Sequence, residues 1–456
     1  MRVKLGIPMS LAEIAYASGG IIKTDKNPII HQVTNDTREI FCGDLFIALN
    51  GNKFKGETFI SEAKQKGAYT LSTNDKISDI FHPDAASALL LLGEKYIKSL
   101  PIILYKIGIT GSVGKTTTKE FLNVILSKKY KCHASSGNHN NQIGMPMSIL
   151  SAPADSQAIV MEIGMSNLGE IRKLANCLRP DISVITNVGT AHIGNLGSRE
   201  NIAKAKLEIT ENESNRVTIV PYEEPLLYEA KRRVTFSILD TRADYFLKCE
   251  GEDILLYKNG DLFCRSHFIP KEAHNRFCLA AAVAVAVEAG LCADELGEGI
   301  SSISNDITRQ NIFSKGNYIF YADFYNASLE SVTAFIYEAE KYESKSKKSL
   351  LLGDVLELGE MSKDIHFEIG SLISEAVFSN LFLIGQESLY IAKGAIKNGF
   401  PSDRIFLNPC PDDPRTSAEQ IRTYCEAGEV IFMKASRGIK LERVLDCFTD
   451  RREDKF

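Results

Sequence analysis

Apolar and polar positions alternate along this chain in a way that predicts strands and helices in turn. Between residues 101 and 314, short apolar runs alternate with longer amphipathic runs, as a parallel sheet with helical crossovers requires. Residues 315–456 repeat this pattern, with five predicted strands: Tyr318 to Phe324, Ser349 to Leu352, Leu381 to Ile384, Arg404 to Leu407 and Val430 to Met433. Among the short segments between residues 217 and 270, Asn259-Gly260 predicts a hairpin turn. Residues 1–100 form a smaller unit of the same kind, in which Ser10 and Glu13 have the spacing of a capping box that opens a helix. The pattern predicts an α/β protein of three domains, with boundaries near residues 100 and 314.

One strand-to-helix turn has the composition of a phosphate-binding loop. The apolar run Ile102 to Ile109 leads into it, and the amphipathic run Lys119 to Tyr130 leads out. Glycines in such a turn let backbone N–H groups point inward, and the helix N-terminus adds partial positive charge. Lys115 would reach the phosphates of a nucleotide, and the Thr116 hydroxyl would bind Mg²⁺. The residues expected to surround the phosphates are Thr110, Gly111, Ser112, Val113, Gly114, Lys115, Thr116 and Thr117.

Two further side chains stand where predicted strands end. Glu162 lies in the predicted buried strand Ala158 to Gly164, and His192 follows the predicted strand Asp181 to Thr186. Ligands of open α/β sheets gather at the carboxyl ends of the strands, and an unpaired buried carboxylate is costly. Because carboxylate and imidazole groups both bind divalent metals, these residues predict an ATP–metal site. By contrast, residues 199–209, with Lys204, Lys206 and Glu208, have the pattern of a solvent-exposed helix face.

Three classes of nucleotide-binding protein fit these residues: an ATP-driven ligase, a kinase and a nucleotide switch. A switch protein should carry a base-reading motif such as Asn-Lys-x-Asp, whereas residues 187–190 read Asn-Val-Gly-Thr. A kinase is usually one nucleotide-binding domain with a lid. Two flanking α/β domains are typical of an enzyme that closes around two large substrates.

The composition is that of an ordinary globular protein, with 44% hydrophobic residues, 24% charged residues and a net charge of −5. Without a basic surplus, we expect neither a nucleic-acid partner nor attraction to an anionic membrane. The first residues lack the apolar core of a signal peptide, and no apolar run approaches the ~18 residues that span a bilayer. The ten cysteines are scattered and include no C-x-x-C pair, which is typical of a reducing compartment. We therefore expect a cytoplasmic protein without stable membrane insertion.

Motifs along nearly the whole chain resemble those of the Mur ligase family. The most general are the shortened phosphate loop Thr110 to Thr117, Glu162, the Asn-Val-Gly-x-Ala-His stretch that ends at His192, and Lys206 to Glu208. The others are Asp36 to Arg38, Gly137 to Asn141, His274-Asn275, His366, and Lys434 with Ser436-Arg437. Tyr325 to Ala327 and Leu352 to Gly359 resemble the branch of the family that adds D-alanyl-D-alanine. The Asp-Tyr-Ala-His-Thr-Pro motif expected of the branch that adds diaminopimelate or lysine does not occur in the sequence.

This resemblance implies a fold and a reaction. The domains would be a small N-terminal α/β domain that binds the UDP-sugar (1–100), a central P-loop ATPase domain with a parallel sheet (101–314), and a C-terminal Rossmann-like domain that binds the incoming dipeptide (315–456). The reaction would join D-alanyl-D-alanine to UDP-N-acetylmuramoyl-tripeptide through an acyl phosphate, with ATP and Mg²⁺ as cofactors. Its product would be the UDP-muramoyl-pentapeptide precursor of peptidoglycan. The chain would act as a monomer on these small-molecule substrates.

The resemblance also implies roles for individual residues. Lys115 would stabilise charge on the transferring phosphoryl group, and Lys206 would be carbamylated, which turns a cation into a carboxylate-like ligand. The metal ligands would be Thr116, Glu162, His192 and Lys206. The further nucleotide contacts would be Asn275, Arg309 and Asp323. The substrate contacts would be Asp36, Thr37, Arg38, Asn138, Asn140, Asn141, Tyr325, Asn326 and Ser436.

The chain departs from the family's pattern at several positions. Cys278 stands where a second asparagine is expected after His274-Asn275, and Ala435 stands where a glycine is expected. Ser328-Leu329 replaces an expected Asn-Pro pair. These departures do not point to another member of the family. Two alternatives stay open. One is a related ligase that adds glutamate or another amino acid, and the other is a nucleotide-gated binding protein that has kept the fold.

Overall fold

The structure is a computed structural model that describes residues 1–51, 55–268, 270, 273–304 and 311–448. The chain forms three sheets with helices packed against them, which confirms the predicted α/β class. It divides into two compact units. The first unit comprises Met1–Asn187 and Ala203–Ser304, and the second comprises Val188–Ile202 and Asn305–Phe456.

The helices are short to medium in length. Those before residue 302 in the chain are α1 (Leu11–Ser18), α2 (Ile60–Gln65), α3 (Ala85–Ser99), α4 (Lys115–Leu126), α5 (Gly144–Leu150), α6 (Glu170–Leu178), α7 (Ile193–Leu196), α8 (Arg199–Leu207), α9 (Ala273–Glu288) and α10 (Ala293–Ser301), of which α7 lies in the second unit. Those of the third sheet are α11 (Leu329–Lys341), α12 (Ser362–Ser371), α13 (Ser388–Lys397), α14 (Pro414–Tyr424) and α15 (Glu442–Asp446). No helix in the described ranges is long and apolar enough to cross a membrane.

The first sheet has six strands in the order β1-β3-β4-β5-β6-β2. They are β1 (Arg2–Ser10), β2 (Ile21–Ile22), β3 (Ile29–Thr34), β4 (Leu45–Ile47), β5 (Tyr69–Ser72) and β6 (Ile80–Phe81). The predicted capping box is present at the start of α1, where the side chain of Ser10 accepts a hydrogen bond from Glu13 N. The helix then ends at Gly19, whose φ of 70° is a left-handed conformation that glycine adopts without strain.

The second sheet has nine strands in the order β15-β14-β13-β12-β11-β10-β7-β9-β8. They are β7 (Tyr105–Thr110), β8 (Cys132–Ala134), β9 (Ala158–Glu162), β10 (Ile182–Ile185), β11 (Val217–Pro221), β12 (Arg233–Ser237), β13 (Tyr245–Glu250), β14 (Asp253–Lys258) and β15 (Asp261–Ser266). The pairs from β8 to β13 are parallel, as predicted, whereas β13, β14 and β15 pair antiparallel. The sheet is therefore mixed. The predicted Asn259-Gly260 turn, with φ values of 51° and 89°, joins β14 and β15 in a hairpin at its edge.

The third sheet has six strands in the order β16-β17-β21-β18-β19-β20. They are β16 (Asn311–Lys315), β17 (Tyr318–Asp323), β18 (Lys348–Gly353), β19 (Phe378–Ile384), β20 (Ile405–Asn408) and β21 (Val430–Lys434). The five predicted strands are parallel to one another, and β16 adds an antiparallel edge that the sequence pattern did not reveal. Parallel strands expose their carboxyl ends at one edge, so β17, β18 and β21 bring their following loops together there.

Candidate functional site

The turn between β7 and α4 has the geometry of a phosphate-binding loop. Gly111 and Gly114 have φ values of 149° and 84°, which other residues rarely adopt. A Cβ atom at Gly111 would lie 1.8 Å from Thr186 Oγ1, and one at Gly114 would lie 2.8 Å from Cys278 Sγ. Both glycines are therefore required by backbone conformation and by space. Thr110 Oγ1, buried at the end of β7, has no hydrogen-bond partner within the described ranges, which fits a ligand in the loop.

Two residues at the end of the neighbouring strand hold this loop in place. Asn187 Oδ1 accepts hydrogen bonds from Ser112 N and Val113 N, both at 3.0 Å. Asn187 Nδ2 and Thr186 Oγ1 both donate to Val113 O, at 3.0 Å and 2.6 Å. In the sequence, Thr186 and Asn187 are recognisable only as part of a motif. Their role follows from the parallel pairing of β10 with β7, which sets Thr186 and Asn187 beside the start of the loop.

Lys115 lies over the loop that it follows. Its Nζ donates to Gly111 O at 2.8 Å and to Ser112 O at 3.4 Å. The ammonium group therefore stands at the concave side of the turn, where the phosphates of a nucleotide would enter. This placement fits the predicted role of Lys115.

Glu162 is the last residue of β9 and is fully buried. Its Oε2 accepts a hydrogen bond from Thr116 Oγ1 at 2.6 Å, and its Oε1 accepts one from Asn140 Nδ2 at 2.8 Å. A buried carboxylate is tolerated only where such partners compensate its lost hydration. The structure thus brings together Thr116, Glu162 and Asn140, which the sequence analysis assigned to metal and substrate binding.

The chemistry of this group fits Mg²⁺. No cluster of three or more His, Cys, Asp or Glu arranged to hold a metal occurs among the residues that the structure describes. Mg²⁺ usually binds one or two carboxylates and takes its other ligands from phosphates and water. One carboxylate, Glu162, and one hydroxyl, Thr116, beside a phosphate loop are therefore a sufficient set of protein ligands.

The asparagine-rich loop that carries Asn140 is held by a buried lysine. Lys119 is fully buried in α4, and its Nζ donates to Ser135 O at 2.6 Å and to Gly137 O at 3.2 Å. Asn141 Oδ1 accepts from the N–H groups of Ile143 and Gly144 at the start of α5, and Asn138 is exposed. Among these residues, only Asn140 contacts Glu162 through a hydrogen bond. This role of Lys119 was not predicted from the sequence.

Residues 199–209, which comprise α8 and the turn after it, are exposed only in part, although their sequence pattern predicted a solvent-exposed face. Lys206 and Glu208 are each 1% exposed, whereas Lys204 is exposed as predicted. Glu208 Oε1 accepts from Gly169 N at 2.7 Å, and its Oε2 accepts from Arg172 N at 3.0 Å. The prediction of a solvated face was wrong for Lys206 and Glu208 because the packing of α8, and not its periodicity, decides which side is covered. Burial of Lys206 is compatible with the role that the family resemblance implied.

His192 belongs to the second compact unit, whereas Thr116, Glu162 and Lys206 belong to the first. It precedes α7 in a left-handed conformation, with a φ of 66°. Its Nδ1 lies 2.5 Å from Glu357 Oε2, and this hydrogen bond lowers the pKa of the Glu357 carboxyl from its ordinary value. A carboxylate on Nδ1 fixes the orientation of the ring and leaves Nε2 to face a ligand.

Another group of predicted residues lies at the carboxyl ends of β17 and β21. Lys434, which is 1% exposed, places its Nζ 2.5 Å from Asp323 Oδ2 and 2.9 Å from Asn326 O. Asp323 Oδ1 accepts from Tyr325 N at 3.1 Å. Ser436 is buried, and its Oγ accepts from Leu356 N at 2.9 Å. These contacts order the loops that carry Asp323, Tyr325 and Asn326, and they give Ser436 a role in holding the loop after β18.

The N-terminal candidates form a tight local turn. The carboxylate of Asp36 accepts hydrogen bonds from the backbone N–H and the guanidinium of Arg38, which holds the pKa of Asp36 well below its ordinary value. The side chain of Arg38 is 86% exposed. Thr37 is buried, and its carbonyl accepts a hydrogen bond from Lys66 Nζ.

Two predicted nucleotide contacts remain. Asn275 is buried in α9, and Arg309 lies outside the described residues.

The chain is similar to known proteins over most of its length. Residues 109–286 match the family described as the Mur ligase middle domain. A protein of Bacillus subtilis named UDP-N-acetylmuramoyl-tripeptide–D-alanyl-D-alanine ligase is 34% identical over 433 residues, covering 91% of this chain and 93% of that protein. A protein of the same name from Treponema pallidum is 29% identical, covering 90% of this chain and 92% of its own.

Solved structures of MurF are also similar to this chain over most of its length. The crystal structure of MurF from Acinetobacter baumannii superposes with a TM-score of 0.83 at 25% identity, covering 98% of this chain and 100% of that one. MurF from Thermotoga maritima in complex with ADP superposes with a TM-score of 0.76 at 28% identity, covering 91% of this chain and 96% of that one. The similarity therefore extends over all three sheets.

Proposed function

Because the chain belongs to the Mur ligase family, we propose that it is an ATP-dependent ligase that joins D-alanyl-D-alanine to UDP-N-acetylmuramoyl-tripeptide. The observation that carries this proposal is the site formed by the phosphate loop with Thr116, Glu162 and Asn140, in a chain that matches the D-alanyl-D-alanine ligases almost end to end. The product is the UDP-muramoyl-pentapeptide from which peptidoglycan is built.

The reaction has two transfers. The γ-phosphoryl group of ATP passes to the C-terminal carboxylate of the tripeptide, and ADP is released. The amine of D-alanyl-D-alanine then attacks the acyl carbon and loses a proton, and inorganic phosphate leaves as the amide C–N bond forms. Formation of the acyl phosphate converts a poor leaving group, oxide, into a good one, phosphate.

The residues of the chain act mainly by placing charge. The N–H groups of the loop and the Nζ of Lys115 stabilise the negative charge that develops on the transferring phosphoryl group. Asn187 keeps the loop in its binding conformation through its contacts with Ser112 and Val113. Asn275, Arg309 and Asp323 complete the nucleotide site in this proposal.

Mg²⁺ would be held by Thr116 and Glu162, and it would neutralise phosphate charge when bound. His192 and a carbamylated Lys206 would serve a second metal. The Lys206 ammonium group first loses one proton; its neutral Nζ then attacks the carbon of CO₂ and loses a second proton, which leaves a carbamate anion at a buried position. Lys206 is 1% exposed, and a carbamate paired with a bound cation is one way to compensate a charge at such a position, because an isolated buried charge is costly.

The substrates are assigned to the flanking domains. Residues 1–100 would bind the UDP-sugar through Asp36, Thr37 and Arg38, and residues 315–456 would bind the dipeptide through Tyr325, Asn326 and Ser436. Asn138, Asn140 and Asn141 in the central domain, residues 101–314, would face the muramoyl peptide. We propose a monomer that works in the cytoplasm, where the ten cysteines, none of which forms a disulfide in the structure, stay reduced.

The choice of acceptor is the direct test of this function. We expect phosphate release from ATP, in the presence of UDP-N-acetylmuramoyl-tripeptide, with D-alanyl-D-alanine and not with D-alanine, meso-diaminopimelate or glutamate. Mass spectrometry of the product should show the mass of the pentapeptide. Turnover with one of the other acceptors would assign the chain to a different branch of the family. No acceptor-dependent release at all would favour a nucleotide-gated binding protein.

Glu162→Gln should weaken the use of Mg²⁺ by the enzyme. A glutamine is similar in size, but its amide carries no charge and offers one acceptor oxygen where the carboxylate offers two. We expect kcat to fall about 100-fold, in the range seen when one charge-stabilising group is lost, and half-saturation to require more Mg²⁺. Phosphate release measured against Mg²⁺ concentration tests this, with the exposed Glu213→Gln as a charge-matched control. An unchanged Mg²⁺ dependence would remove Glu162 from the metal site.

A further inference from the structure

The segment of residues 188–202 has an unusual position in the chain. It follows β10 of the nine-stranded sheet, yet it belongs to the second compact unit, and the chain passes from one unit to the other between Asn187 and Val188. Asn187, on one side of this peptide bond, holds the phosphate loop. Val188 and the residues after it, including His192, are held by side chains and backbone of the second unit. What fixes this segment therefore also fixes His192.

One of its attachments is Glu330, a half-buried residue in the first turn of α11. Its Oε1 accepts a hydrogen bond from Thr190 N at 2.8 Å, and its Oε2 accepts one from Thr190 Oγ1 at 3.2 Å. Thr190 is only 7% exposed, so its N–H would lose its partner and find little water if the carboxylate were removed. Hydrogen bonds to a carboxylate are about twice as strong as those between neutral groups.

Gly189, the residue before Thr190, leaves space for the Glu330 carboxylate. A Cβ atom at Gly189 would lie 2.6 Å from Glu330 Cδ and 2.7 Å from its Oε2. Gly189 is not among the residues with a positive φ, so backbone conformation does not require a glycine there. The absence of a side chain at Gly189 matters because Glu330 approaches at that point.

A second carboxylate holds the other side of the same segment. Glu357 accepts from His192 Nδ1 through its side chain and from Gly194 N through its carbonyl at 2.9 Å. Glu330 and Glu357 thus bracket the short stretch that contains His192. Glu357 acts on the imidazole directly, whereas Glu330 acts on the backbone two residues earlier.

We propose that Glu330 is a positioning residue, which fixes the Gly189–Thr190 turn and thereby sets the place of His192 in the reaction. The structural part of this inference is independent of the reaction, and its catalytic part rests on the proposed ligase function. The phosphate loop is held by Thr186 and Asn187, which belong to the first unit. The loss of Glu330 should therefore slow turnover more than it weakens nucleotide binding.

The first experiment measures hydrogen exchange of the full-length protein without substrates, resolved to the Thr190 amide by mass spectrometry. We expect Glu330→Ala to speed exchange at Thr190 about tenfold, as the loss of one charge-assisted hydrogen bond predicts. Glu330→Gln should give a smaller increase. Glu340→Ala is the matched control, since Glu340 lies on the same helix and has Lys348 as its charged neighbour. Unchanged exchange at Thr190 in Glu330→Ala would overturn the inference, whatever the enzyme's substrate.

The second experiment asks whether Gly189 and Glu330 act as one unit. Gly189→Ala should displace the carboxylate and reproduce the exchange increase of Glu330→Ala, and the double variant should be no worse than either single one. In ligase assays, we expect kcat to fall about tenfold in Glu330→Ala while KM for ATP changes less than twofold. A merely structural role for Glu330 would instead give additive effects or leave kcat at the wild-type value, and either result would contradict the proposal.

Discussion

Lys206→Ala is expected to reduce ligase turnover about 1,000-fold, the larger of the losses seen when one charge-stabilising group is removed. Lys206 is 1% exposed near the end of α8, and the alanine variant can neither form a carbamate nor hold a cation through it. The measurement is acceptor-dependent phosphate release. Lys204→Ala is the matched control, because Lys204 lies on the same helix and is exposed. Its activity should stay within about twofold of wild type.

The carbamate itself has an independent test. Wild-type enzyme depleted of CO₂ and bicarbonate should lose activity and regain it when bicarbonate is restored, whereas Lys206→Ala should respond to neither treatment. Incubation with ¹³C-labelled CO₂ should give a carbamate carbon signal in the wild type that is missing in the variant. Full activity of the wild type at very low CO₂ would count against carbamylation and leave Lys206 as a buried structural residue.

Lys115→Met should lower kcat by about 100- to 1,000-fold. Methionine keeps most of the side-chain length and removes the ammonium group, which in the structure lies 2.8 Å from Gly111 O at the mouth of the loop. The lost charge acts on the transferring phosphoryl group, and so the effect on kcat should exceed the effect on KM for ATP. Steady-state kinetics with varied ATP will separate the two constants.

The control for this variant is Lys128→Met, at an exposed lysine just beyond the end of the same helix. Thermal unfolding of both variants should show similar midpoints, because neither Lys115 nor Lys128 is part of the buried core. If Lys115→Met raised KM alone and left kcat intact, the lysine would serve binding and not phosphoryl transfer.

Much of the fold could be predicted because local patterns produced it. The capping box at Ser10 and Glu13, the hairpin turn at Asn259-Gly260 and the five parallel strands of the third sheet were all confirmed. Several short strands, β12 and β16 among them, were not predicted, although Gly316-Asn317 joins β16 to β17 in a tight turn that the sequence could have revealed. The phosphate loop was evident because one short stretch contains all its essential residues.

The parts of the site that could not be predicted depend on contacts between distant positions. Asn187 meets Ser112 across 75 residues of chain, and Glu330 meets Thr190 across 140. In the sequence, Lys119 is one more polar residue on an amphipathic helix. In the structure, its ammonium group is buried against the backbone of a neighbouring loop. The same reason explains Lys206: the periodicity of α8 describes a helix, but only the packing around it decides which of its lysines meets water.

The division of the chain between Asn187 and Val188 has a consequence for the design of a fragment that contains only the nucleotide-binding part. The natural place to cut, after the last helix of the nine-stranded sheet, would keep residues 188–202 and discard α11 and the loop after β18. Val188, Thr190 and Ile193, all buried in the intact protein, would then lose the rest of the second unit, including the Glu330 carboxylate that binds Thr190. An ATPase fragment made in this way would contain a segment in its middle whose apolar residues are newly exposed and promote aggregation. The nucleotide-binding half is thus contiguous in space but not in the gene.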